Sequence, residues 1–123
     1  MDLAEARNAM LTMLAEKLDL TQGKNLFADA LPPGVPEGVT VAVTGIREWH
    51  PDSAAECEME ITGTFESESV LRDHLAKLRD LLRNSCSNIY LDCRQNGLIR
   101  FAAHPGDQMD RKSFTFPLII AFV

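Results

Sequence analysis

At 123 residues, 46 % hydrophobic and 24 % charged, the chain has the size and make-up of one ordinary soluble globular domain. Its net charge of −6, from 18 acidic and 12 basic side chains with the basic ones scattered, speaks against nucleic acid as the main partner. No apolar run approaches the roughly 20 residues that span a bilayer, and the opening MDLAEARNAM lacks the apolar core of a signal peptide, so the expectation is a product of the cytoplasm with no membrane partner.

The spacing of Leu3, Ala6, Met10, Met13, Leu14 and Leu18 predicts a helix over 2–18, capped by Asp2 and stopped near Gly23. Its methionines read as core filling. The stretch GKNLFADALPPGVPEG, residues 23–38, follows as a proline-rich arm that keeps Leu26, Phe27 and Leu31 as apolar anchors. Prolines restrict such a segment, so it reads as a stiff connection. Val39, Val41 and Val43 then alternate with Thr40, Ala42 and Thr44 as a strand, and residues 46–56 read as a loop around Trp49. In ECEMEITGTFE the apolar Cys57, Met59, Ile61 and Phe65 alternate with Glu58, Glu60, Thr62 and Thr64, which predicts a strand buried on one face and wet on the other.

Leu71, Leu75, Leu78 and Leu82 return to helical spacing after the N-cap candidate Ser67. Beyond that helix, two short strands flank Gln95-Asn96-Gly97, an Asn-Gly hairpin signal. The chain closes on SFTFPLIIAFV, with Phe114, Phe116, Leu118, Ile120 and Phe122 on one face. Pro117 has no N–H and belongs at a bulge or on the edge side of that strand. The order α-β-β-α-β-β-β, with one apolar face per element, predicts an α+β two-layer sandwich. Its mostly antiparallel sheet has four to five strands, with two helices packed on one face, in a single domain spanning 1–123.

Candidate chemistry is sparse. Cys57, Cys86 and Cys93 show no C-x-x-C spacing and read as reduced, structural thiols. His50, Asp52, His104 and Asp107 offer ligand chemistry but no compact metal spacing. The glutamates of the alternating strand follow the pleat as a solvated face rather than forming a catalytic pair. The glycines are dispersed, so no phosphate-cradling loop is present. The expectation is a non-enzymatic protein: no catalytic residue, no cofactor, no metal and no small-molecule substrate. Trp49, with Ile46, Arg47 and His50 around it, has the character of an interface anchor, or else folds back over the sheet edge.

One set of motifs goes further. The helix ending in LDLTQGKNLFADALPPGVPEGVTVAVTG supplies Gly23, Asn25, Leu26, Phe27, the prolines 32, 33 and 36, a valine strand and Gly45. The alternating strand, the helix VLRDHLAKLRDLLRN and the closing DQMDRKSFTF follow, the last keeping Asp107, Asp110, Arg111 and Phe114. In this order the chain resembles, over nearly its whole length, the tailed-phage minor capsid or tail-terminator-like proteins. It departs from them in lacking a glycine before Arg111 and in carrying Ile46-Arg47-Glu48-Trp49 after Gly45. The resemblance implies a structural protein of the virion, made in the host bacterial cytoplasm, that caps the tail tube and joins it to the head connector. Its partners would be itself, in a ring that is often a hexamer, and the tail-tube and head-connector proteins. The contact residues to expect are Lys24, Asn25, Phe27, Ile46, Arg47, Trp49, His50 and Arg111. In such a ring, inward-facing carboxylates would repel passing DNA. The competing readings are a small α+β ligand-binding domain or enzyme with a site near His50, Asp52 and His104, and a regulatory module that pairs a partner strand through an exposed edge.

Overall fold

A computed structural model describes residues 1–49, 55–84, 90–106 and 110–123, without the side chains of Glu48, Trp49 and Asn84. In chain order the elements are α1 (Leu3–Lys17), β1 (Leu26–Ala28), β2 (Gly38–Trp49), β3 (Ala55–Phe65), α2 (Glu68–Asn84), β4 (Asp92–Gln95), β5 (Arg100–His104) and β6 (Arg111–Phe122). They form the α+β arrangement that the sequence predicts. One sheet runs β1-β2-β3-β6-β4, with β5 also on β6; every pairing is antiparallel except β1 with β2.

Pairing register explains why the helices share one face. Val41, Ile61 and Phe116 lie in one row, and Val43, Met59 and Leu118 in another. All but Val43 are buried, together with Met10 and Leu14 of α1 and Leu71, Leu75 and Leu78 of α2. α1 packs on β1 and β2, and α2 packs on β3 and β6. Each large side chain buried in this layer contributes on the order of 1.5–3 kcal/mol. Gly63 permits the closest approach in it, because a Cβ there would sit 2.7 Å from Cζ of the buried Phe114. The opposite face is polar. Thr62 and Thr115 share a hydrogen bond at 3.3 Å, and Arg100 pairs with Glu60 at 2.6 Å. Ile119 is buried on that face too, flanked in register by Glu58 and Arg94.

α1 begins with a reciprocal capping box. The Glu5 N–H donates to Asp2 Oδ1 at 2.8 Å, and the Asp2 N–H donates to Glu5 Oε2 at 3.0 Å. Tyr90 fastens the other layer to it, donating its hydroxyl to the Ala6 carbonyl at 2.6 Å from a buried position.

Four expectations change. The sheet has six strands, because three residues of the arm, Leu26–Ala28, join it as β1. Residues 46–49 extend β2 instead of forming a loop: bulges between Val43 and Gly45 and between Ile46 and Glu48 absorb residues that break the alternation. Asn96-Gly97 is no hairpin turn, since β4 and β5 both pair with β6 and follow one another along its outer side. The reason lies opposite. Asn96 N–H donates to the Pro117 carbonyl at 2.9 Å, so the missing N–H of Pro117 faces the same side, and there the ladder breaks. Gly97, at φ +92, carries the chain across the break and leaves Leu98 86 % exposed. Finally, Cys93 is disulfide-bonded, so the cysteines are not all reduced thiols. Cys57 is free and buried, and Cys86 lies outside the described residues.

Candidate interaction surface

The sheet does not end alike on its two sides. Beyond β6, all five residues of β5 are exposed, and among the described residues no strand lies on its outer edge. α2 packs on β3 and β6, which leaves a groove of about 700 Å³ between the helix and β5. Leu71, Leu75 and Ala103 give it an apolar lining, and Phe101 stands in it 64 % exposed, although its register partner Phe114 is buried. Arg72, Arg79 and Lys112 supply cations along the rim. A second hollow of about 390 Å³ continues past Arg79 toward Arg83, Cys93 and Leu118.

Charge in the groove is only partly compensated. Arg72 bonds Glu68 at 2.9 Å and, with a smaller contribution from Lys112, holds that exposed carboxyl below its usual range. Arg79 and Lys112 make no salt bridge among the described residues. An apolar floor with unpaired cations suits an apolar, acidic polypeptide surface.

The arm is fastened to its own domain. Leu26 is fully buried, and the Asn25 carbonyl accepts the Val39 N–H at 2.9 Å while its side chain accepts the Thr21 N–H at 2.7 Å. Arg7 pairs with Asp29 at 3.5 Å, Glu37 accepts the Glu66 N–H at 2.8 Å, and Arg111 donates to the Pro36 carbonyl at 3.0 Å. Asn25 and Arg111 therefore serve internal contacts. Phe27 is half-buried, paired with Thr40 on the polar side of the sheet, so Leu26 and not Phe27 is the core anchor. Lys24 and Arg47 are exposed, as is Ile46 at 56 %. Trp49 pairs with Ala55 at the end of β2. His50, Asp52 and Asp107 lie outside the described residues.

His104 sits at the end of β5, next to the groove-lining residues Ala103 and Ser113. Its Nε2 shares a 2.8 Å hydrogen bond with Oγ of Ser113, a residue only 5 % exposed and so poorly placed for attack on a substrate. Burial pushes the Cys57 thiol up to about 11 and also raises the Tyr90 phenol, which disfavours thiolate chemistry at Cys57. Among the described residues no three His, Cys, Asp or Glu side chains gather as a metal site would need, and no helix is long and apolar enough to cross a membrane. Against known proteins, the chain matches no family model and no curated protein.

The groove left almost no mark in the sequence. RFAAH gives no alternation, and nothing in Arg79 or Lys112 distinguishes an unpaired cation from a paired one. The one usable signal was Phe101, an aromatic between Arg100 and Ala102 in a strand that has no second apolar partner at i+2 other than Ala103.

Proposed function

We propose that this chain is a non-enzymatic structural protein of a phage or prophage particle, a minor capsid or tail-terminator subunit. It caps the tail tube and joins it to the head connector by ring-type self-association. The observation that carries this reading is the bare outer edge of β5 beside a groove that combines exposed Phe101 with unpaired cations. Such a surface is built for contact with another polypeptide, because an unpaired strand edge invites a further strand. The motif resemblance from Gly23 to Phe114 supplies the kind of particle. Its partners are further copies of itself, the tail-tube protein and the head-connector protein, and its working place is the virion.

Electron microscopy of the protein produced together with the tail-tube protein encoded beside it tests this. Rings seated on tube ends are expected. Tubes that stay bare at saturating protein, or the absence of any portal or tail-tube gene in the neighbourhood, overturn it. A groove of about 700 Å³ also has the size of a small-ligand pocket, which favours a ligand-binding domain with its site at Phe101 and Arg79 instead of the one expected near His50, Asp52 and His104. A metabolite screen that raises the melting temperature, with the rise lost on changing Phe101 or Arg79, would move the assignment there.

A further inference from the structure

Phe101 is a large aromatic left exposed on the face of the sheet that elsewhere carries the buried core. Register partners share a face, so Phe101 and Ala103 stand with Phe114 and Lys112 on the helix side. Beside them, the outward N–H and C=O groups of Arg100–His104 meet no further strand among the described residues. An apolar surface next to an open strand edge is the arrangement that takes up an extended polypeptide segment.

The cations around Phe101 are spaced for such a segment. Lys112 is the register partner of Ala103, one same-face step from Phe101 along β5. On the other side, Arg79 borders both the main groove and the second hollow, which reaches Phe116, one same-face step beyond Phe114 on β6. A strand advances about 6.5 Å in such a step, so one cation lies that far along the strand to either side of Phe101. Neither Lys112 nor Arg79 has a salt bridge among the described residues. The groove lining holds three cations and a single carboxylate, Glu68, which bonds Arg72 at 2.9 Å. This positive site belongs to a chain of net charge −6, whose field as a whole repels acidic partners from other surfaces.

We propose that the groove takes up a short acidic segment of another protein, added as a strand to the outer edge of β5. One apolar side chain of the segment packs on Phe101, and a carboxylate two residues to each side of it reaches Lys112 or Arg79. The recognised pattern is acidic-x-apolar-x-acidic, which reads the same in both chain directions. This rests on the function proposed above, a surface for another polypeptide, and names that polypeptide's chemistry.

Fluorescence anisotropy with the labelled peptide Thr-Glu-Thr-Leu-Thr-Glu-Thr tests it, against the same peptide with Gln or Lys in place of both Glu. The Glu peptide is expected to bind with a Kd below about 100 µM, weakened about tenfold between about 0.05 and 0.5 M salt. The Gln peptide is expected to bind about fivefold more weakly or worse, and the Lys peptide not at all. Arg79→Glu combined with Lys112→Glu, both at exposed positions, is expected to exchange the preference, so that the Lys peptide binds and the Glu peptide does not. Circular dichroism confirms the fold, and Phe101→Asp is expected to lose the Glu peptide independently. In the complex, amide hydrogen exchange is expected to slow at Arg100–His104. No Glu-peptide binding up to about 1 mM, equal binding of the three peptides, a preference that does not exchange in the folded reversal, binding intact in Phe101→Asp, or protection away from β5 each overturns the site. So does a fatty acid that raises the melting temperature where the peptide does not. Rings on tube ends without peptide binding dismiss only this site, and peptide binding beside tubes that stay bare dismisses only the particle role.

Discussion

The outermost strands at the two sides of the sheet are both short, yet they have opposite fates. β1 has three residues and is sealed: Leu26 lies wholly buried under α1, and the arm around it is tied down through Asp29, Pro36 and Glu37. β5 has five residues, carries the larger Phe101, and is exposed throughout. Side-chain size therefore did not decide which edge closed. What decided it was where the helices lie, since α1 packs on β1 while α2 packs on β3 and β6 and leaves a groove beside β5. The hydrophobic effect acts only where a second layer supplies a partner surface.

The largest test of this contrast is Leu26→Ala, expected to cost about 2–5 kcal/mol in denaturant unfolding, with Phe27→Ala costing clearly less. If Phe27→Ala proves the more damaging, the account of the sealed edge is wrong. Next comes alkaline pH, which acts on the buried Cys57 of β3. Folded Cys57 keeps its proton to about 11, while the unfolded thiol releases it near 9.0. In that window the unfolded state binds fewer protons, so stability should fall as pH rises from 9.0 toward 11. The raised Tyr90 phenol pushes the same way. Cys57→Ala should flatten the slope in pH-dependent melts, and an unchanged slope would remove Cys57 from the explanation.

Smaller still, Arg111→Ala should cost about 1 kcal/mol by releasing Pro36, and exchange of amide hydrogens across the arm should quicken. Phe101→Ala should leave stability within about 0.5 kcal/mol, measured by the same denaturant curve. A large loss there would mean that β5 is closed by contacts within its own domain, and the contrast would disappear.

Much of the framework was readable in advance wherever one period ran unbroken. The Cys57 to Phe65 alternation and the leucine spacing of α2 each reflect a single buried face. The misreadings fall where period and structure part company. Three residues of β1 are too few to show alternation inside a proline-rich arm. The bulges in β2 disguise a strand as a loop. Asn96-Gly97 has hairpin chemistry, yet Pro117 across the ladder fixes a break there. For the surface, Ile46 and Arg47 stood out as neighbours of Trp49, and both are exposed. The groove did not, because it is the gap between α2 and β5, and a gap has no residues of its own.

That same proline sets how strong any lateral bond can be. By splitting the outer margin of the sheet into two short pieces, it limits an added strand beside β5 to five residues, Arg100 to His104. A seam of that length is feeble alone and tight only in multiples. If the ring proposed above forms through such seams, a singly bound copy would leave quickly and a closed ring would hold.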